Sequence, residues 1–92
     1  MEDRTRVHVF VSGDVQGVNF RSWVRSRAEA HGLAGWAANL DDGSVEVVLQ
    51  GAADAVAAVE RAVGEGPSHA HVEAVAGEDD AVRDDLAGFE RR

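Results

Sequence analysis

No cysteine and no lysine occur among the 92 residues, and only 5% are aromatic. Without cysteine there is no disulfide framework, no thiol nucleophile and no thiolate metal site, so the fold must rest on packing alone, as a reducing compartment permits. No apolar run approaches the roughly 20 residues a membrane span needs. The opening Met1-Glu2-Asp3-Arg4 also lacks the basic-then-apolar layout of a secretory leader, so a soluble, cytoplasmic protein is expected. All nine basic residues are arginine and seventeen residues are acidic, giving a formal charge of −8. Phosphate backbones are bound chiefly by clustered basic side chains and bases by aromatic stacking, which argues against a nucleic-acid partner.

The chain is 45% hydrophobic, ample for one core and too short for two, so residues 1–92 read as a single domain. Val7-His8-Val9-Phe10-Val11 alternates around β-branched residues and ends at Ser12-Gly13, the pattern of a buried strand. From Phe20 to His31 the apolar positions Phe20, Trp23, Val24 and Ala28 recur at helical spacing, with Gly32 as the stop. Gly35 to Asn39 is a short strand. Asp41-Asp42-Gly43 signals a hairpin, and Val45, Val47 and Leu49 share one face of the return strand. Ala52, Ala55, Val56, Val59 and Val63 form a second helical stripe, closed by Gly64, Gly66 and Pro67. A fourth strand is expected over His71 to Ala76, where Val72 and Val75 straddle a bulge.

This order predicts an α+β ferredoxin-like sandwich, βαββαβ, with a four-stranded antiparallel sheet and two helices on one face. Residues 77–92 are acidic and weakly patterned, with only Leu86 and Phe89 able to dock.

Gly13-Asp14-Val15-Gln16-Gly17-Val18-Asn19-Phe20-Arg21 joins a strand to a helix, and its glycines let backbone N–H groups converge on an anion. Glycines alone would suit an ordinary turn equally. The charges favour the anion: Arg21, Arg25 and Arg27 sit in the first half of the helix and Glu29 near its end, against the macrodipole. Each misplaced charge costs about 0.3–1 kcal/mol unless an anion or acidic side chain offsets it. Arg21 is best placed, because its planar fork holds two phosphate oxygens at once. Asn39, ending a strand beside a hairpin, could by itself simply start the turn.

Gly13 to Arg21, together with Gly35-Trp36-Ala37-Ala38-Asn39-Leu40-Asp41-Asp42-Gly43-Ser44-Val45 and the following Gly51, resembles the two signature motifs of the acylphosphatase family. The resemblance extends over the whole chain in length and element order. It implies hydrolysis of an acyl phosphate to a carboxylate and inorganic phosphate, with neither metal, cofactor nor covalent enzyme intermediate. The backbone amides of Gln16, Gly17, Val18, Asn19 and Phe20, with Arg21, would bind the phosphoryl oxygens, and Asn39 would hold the attacking water. Asn19 stands where the family often has glycine or a bulky apolar residue, and the tail Gly88-Phe89-Glu90-Arg91-Arg92 lacks an apolar residue soon after the phenylalanine, which puts a closing edge strand in doubt.

Two other readings compete. An acylphosphatase-like module, such as the one that begins hydrogenase-maturation carbamoyltransferases, would bind an anion without turning it over. A regulatory ferredoxin-like domain would need neither Arg21 nor Asn39 in these contexts. His69 and His71 would face the same way on a strand but have no third ligand nearby, so they are read as surface residues rather than a metal site. His8 and His31 are read as structural, Glu78-Asp79-Asp80 with Asp84-Asp85 as solvated surface, and Trp23 and Trp36 as packing residues. A monomer is the default.

A carboxylate-rich surface repels itself in dilute buffer, whereas at about 1 M salt the Debye length falls to roughly 3 Å. A GC-rich coding bias would favour arginine, alanine, valine and glycine equally well. If the composition is an adaptation to salt, the melting temperature rises markedly between dilute buffer and molar salt; a flat profile in the same scan leaves coding bias as the explanation.

Overall fold

The computed structural model describes residues 3–92; Met1 and Glu2, half of the tetrapeptide that argues against a leader, lie outside the described residues. The elements are β1 (Arg4–Asp14), α1 (Phe20–Ala30), β2 (Ala34–Asn39), β3 (Val45–Ala52), α2 (Ala53–Glu65), β4 (His71–Asp80) and β5 (Phe89–Arg91). They form one sheet in the order β4-β1-β3-β2-β5.

The central ladder explains the core. Antiparallel β1 and β3 pair Val7 with Leu49, Val9 with Val47 and Val11 with Val45, placing β-branched and leucine side chains together on one pleat face. Both helices lie on that face: α1 buries Phe20, Val24 and Ala28, and α2 buries Val56, Val59 and Val63. Fully burying side chains of this size stabilises by about 1.5–3 kcal/mol each before conformational entropy is counted.

The sheet has five strands and is mixed, not four strands and antiparallel as the sequence predicts. Its helix content and chain order through β4 agree with expectation, and the expected bulge is present. Ser12 pairs with Ala74 and Gly13 with Val72, so Glu73 is the extra residue between the two valines.

Two features depart from expectation, both in the acidic tail. β4 continues past Ala76 to Asp80, pairing Glu78 with His8 and Asp80 with Arg6. It is an edge strand whose side chains from Glu73 to Asp80 are all exposed, so the ladder forms through the backbone while the carboxylates stay in water. The chain then crosses the sheet face opposite the helices. Gln50 anchors this crossing: its Nε2 donates to the Arg83 carbonyl and its Oε1 accepts from the Arg83 N–H, both at 2.8 Å. The tail returns as β5, parallel to β2, with Gly35 opposite Phe89 and Ala37 opposite Arg91.

Phe89 is 7% exposed and joins the helix-side core. Gly35 leaves room for the ring, since a Cβ there would lie 3.3 Å from Phe89 Cε2, and it also lets β2 pair with β3, because that Cβ would fall 1.8 Å from the Val48 carbonyl oxygen. Gly35 N–H donates to the Gly88 carbonyl at 3.0 Å, and Arg92 N–H to the Ala37 carbonyl at 2.8 Å.

The face opposite the helices carries a polar cluster. Glu46 accepts from Trp36 Nε1 at 3.0 Å and from His8 Nε2 at 2.8 Å. The Arg92 guanidinium lies 4.1 Å from the Trp36 ring centroid. Partial burial pushes the Glu46 carboxyl up, but the hydrogen bonds from Trp36 and His8 and the charges of His8 and Arg92 outweigh it and hold the group below its ordinary 4.5.

A depressed carboxyl stabilises the fold above its unfolded value, and that stability is lost as pH falls through the folded value. Glu46→Gln is therefore expected to melt about 4 °C below wild type at pH 7. In thermal melts across pH the gap should narrow as the medium falls below pH 4.5; a gap independent of pH would mean that packing, not charge, sets its size.

Candidate functional site

β1 hands the chain to α1 through residues 15–19, where the backbone turns sharply. Gly17 has φ 77° and Asn19 φ 65°, the latter a left-handed conformation that asparagine tolerates better than most residues. Asn19 is the N-cap of α1 but makes no side-chain cap bond, and the first turn of the helix contains no acidic residue. The N–H groups and partial positive charge of the helix start therefore face outward.

They face a cleft of about 370 Å³ lined by Val15, Gly17, Val18, Asn19, Phe20, Arg21, Ser22, Asn39 and Arg91. No carboxylate is among these residues. Of the positions expected to bind phosphate, Gly17, Val18, Asn19, Phe20 and Arg21 line the cleft, and Asn39 joins them from the end of β2. Asn39 is exposed, and its side chain makes no hydrogen bond among the described residues. Arg21 Nη1 donates to the backbone oxygen of Arg92, leaving the other N–H groups of its fork for a ligand.

Gln16 does not line the cleft. Its side chain turns toward the β2–β3 hairpin, where Nε2 donates to the carbonyls of Leu40 at 2.8 Å and Ser44 at 2.9 Å. The hairpin is stiffened further by Asp42, whose Oδ1 accepts from the Ser44 hydroxyl at 2.5 Å and the Ser44 N–H at 2.9 Å. Those two bonds hold the Asp42 carboxyl below its ordinary range. Gln16 thus ties the loop to the turn that begins immediately after Asn39.

The other arginines of α1 are engaged elsewhere. Arg25 reaches Glu29 at 3.4 Å, and Arg27 lies 5.2 Å from the centroid of the Trp23 ring. The expected placement of all three arginines in the first half of the helix does not hold, because Arg27 lies in the last turn of α1, where a cation complements the dipole; of the three, only Arg21 belongs to the cleft.

Three contacts escape the sequence reading. The tethering role of the Gln16 side chain is one. The second is His69, whose Nε2–H donates to the Val18 carbonyl at 2.6 Å and holds the outer side of the loop. The third is Arg91, brought to the cleft by β5. No local pattern marks any of them, because each depends on residues at least 24 positions away.

The sequence matches the acylphosphatase family over residues 7–91. The chain belongs to the acylphosphatase family. An acylphosphatase from Rubrobacter xylanophilus is 51% identical over 87 residues, covering 95% of this chain and 79% of the relative. The structure of an acylphosphatase from Coxiella burnetii superposes with a TM-score of 0.91 at 42% identity, covering 98% of this chain and 94% of that one. Full-length HypF, in its phosphate- and nucleotide-bound form, superposes with a TM-score of 0.90 at 22% identity over 12% of its length, a likeness of fold alone. The family activity, hydrolysis of the carboxyl-phosphate bond of acyl phosphates to carboxylate and inorganic phosphate, is the activity of this acylphosphatase.

Removing the Gln16 tether tests how far the site depends on it. Gln16→Ala breaks two part-buried bonds and is expected to cost about 1–3 kcal/mol in denaturant unfolding. It should also lower kcat for an acyl phosphate more than tenfold, by freeing Asn39 from its place relative to the loop. Loss of stability with kcat intact would show that the tether serves folding only.

Proposed function

We propose that the cleft at the start of α1 is the catalytic site, with Arg21 and the loop amides binding the phosphoryl group and Asn39 positioning the attacking water. The observation that carries this reading is the convergence of Arg21, Asn39 and the left-handed loop on one cleft without a carboxylate. The amides from Gly17 to Phe20, together with the Arg21 fork, stabilise charge on the equatorial oxygens. The Gln16 amide belongs to the same loop, and its side chain supports the arrangement from outside.

The Asn39 side-chain oxygen accepts a hydrogen bond from water lined up opposite the leaving carboxylate. The water oxygen forms the new bond to phosphorus while the bond from phosphorus to the acyl oxygen breaks. The carboxylate departs with the electron pair. A carboxylate is a good leaving group, so positioning and charge stabilisation carry the catalysis. Asparagine cannot take a proton at neutral pH, so the phosphoryl group itself accepts the proton lost by the water. The products are a carboxylate and dihydrogen phosphate, and no metal or cofactor enters the scheme.

The reading includes a single domain over residues 1–92, acting as a monomer in the cytoplasm. One sheet over one helix-covered core supports the single domain. Among the described residues no helix is long and apolar enough to cross a membrane.

Asn39→Ala should lower kcat for benzoyl phosphate, assayed without divalent metal at low and molar salt, by about 10²–10³-fold. Inhibition by inorganic phosphate and the melting temperature should stay near wild type. Arg21→Ala should weaken both phosphate binding and turnover. If phosphate binding survived Arg21→Ala, the assigned roles would be wrong, and a folded wild type that binds phosphate without turnover in any salt would point to the non-catalytic anion-binding module instead.

A further inference from the structure

We infer that Arg91 is a second phosphoryl-binding arginine, reaching the phosphate from β5 opposite the loop and helix start. The inference rests on reading the cleft as the acyl phosphate site.

Register places Arg91 there. β5 runs parallel to β2, and Arg91 pairs with Ala37. Alternation along β2 puts Ala37 and Asn39 on the same pleat face, which is the helix side, where Ala37 belongs to the core. Arg91 is therefore the diagonal neighbour of Asn39 on that face, and both line the cleft. The residues flanking Arg91 point the other way: Arg92 lies over Trp36 and pairs with Glu90 at 2.8 Å.

The partners of Arg91 leave its charge unanswered. Its Nη1 donates to the Ser22 hydroxyl at 2.9 Å. A hydroxyl aims the guanidinium without neutralising it. Arg4, Arg6, Arg25, Arg83 and Arg92 each meet a carboxylate within ion-pair distance. Among the described residues Arg21, Arg27, Arg61 and Arg91 meet none, and of these four only Arg21 and Arg91 line the cleft.

Arg21 and Ser22 both line the cleft, so the bond to Ser22 holds the Arg91 guanidinium at the cleft that Arg21 enters from the helix. Like charges that share one cleft repel until an anion lies between them. An acyl phosphate carries two negative charges on its phosphoryl group at neutral pH, and the two arginines supply two positive ones. The loop amides and two guanidinium forks together offer enough donors for all three peripheral oxygens, which a single fork cannot reach at once. Arg91 makes and breaks no covalent bond; it binds the phosphoryl group and stabilises its charge.

Arg91→Gln and Arg91→Lys test this, read by inhibition with inorganic phosphate and by kcat/KM for benzoyl phosphate, whose acyl group is uncharged. Arg91→Gln is expected to weaken phosphate inhibition and kcat/KM about tenfold or more, at a melting temperature near wild type. Arg91→Lys, which keeps the charge and loses the fork, should recover most of the phosphate affinity. If the lysine and glutamine variants were equally impaired, Arg91 would be a tie between β5 and α1, and the inference would fall. It would fall also if phosphate inhibition and benzoyl phosphate turnover were unchanged while turnover of succinyl phosphate dropped, because Arg91 would then read the acyl group.

Should Arg91→Gln not fold, NMR of the wild type answers the same question. The Arg91 side-chain resonance should shift at the phosphate concentration that shifts the Gly17 amide, and an unmoved Arg91 resonance would refute the clamp. Failure of the underlying reading looks different, because the wild type itself would then neither bind phosphate nor turn over benzoyl phosphate.

Discussion

Val45 pairs with Val11 on one side and with Asn39 on the other, and the site depends on that double pairing. Because β3 is antiparallel to both neighbours, β1 and β2 run parallel to each other and end at the same edge of the sheet. Two strand spacings, about 9–10 Å, separate their ends. The loop after β1 and the amide at the end of β2 are brought to one cleft by backbone hydrogen bonds alone. A slip of one residue in the β2–β3 register would send Asn39 to the opposite face. Burial of Ala37, 0% exposed on the same face of β2, opposes that slip, since it would turn Ala37 out of the core and drive Trp36 into it.

β5 extends the same logic by one strand. Parallel to β2, it too ends at the site edge, and its only buried residue, Phe89, fixes how far along β2 it lies. Three strand ends and one helix start thus meet at the cleft. What the pairing leaves free is then tied by side chains that bond backbone oxygens, Gln16 to the hairpin and His69 to the loop. These bonds hold the backbone from outside, so the amide N–H groups remain available to an anion.

Much of this was legible from residue periodicity. Four strands and two helices follow from the spacing of valine, leucine, alanine and phenylalanine, and even the bulge at Glu73 shows as a failure of alternation. The fifth strand does not, because three residues carry no period and its energy comes from one phenylalanine and a glycine that admits it. The acidic half of β4 is hidden for another reason: an exposed edge strand has no buried face to reveal it. In the site, Arg21, Asn39 and the loop were readable because motif and chemistry coincide there. Of the three arginines of α1 only Arg21 bears on the anion, since Arg25 is paired with Glu29 and Arg27 lies in the last turn, over Trp23. Gln16, His69 and Arg91 act across long stretches of chain on carbonyls or a hydroxyl, groups that leave no local signature.

A formal charge of −8 opposes an anionic substrate when taken over the whole molecule, but the topology sorts the charges by position. β4 is antiparallel to β1, so Glu78, Asp79 and Asp80 lie beside His8, Val7 and Arg6, toward the start of β1. The cleft lies beyond the other end. Seven residues of extended strand separate Val7 from Asp14, about 23 Å, which is nearly three Debye lengths at physiological ionic strength. Asp84 and Asp85 also belong to the remote end, where they meet Arg4 and Arg83. Of the acids at the near end, Asp14, Asp41, Asp42, Glu65 and Glu73 all stay outside the cleft lining, and Asp42 is engaged by Ser44. A phosphate approaching α1 therefore meets amides and arginines at contact distance, with no carboxylate in the cleft lining and the Glu78–Asp80 cluster only through screening solvent. Net charge describes the whole molecule, whereas binding is decided within a few ångströms of Arg21.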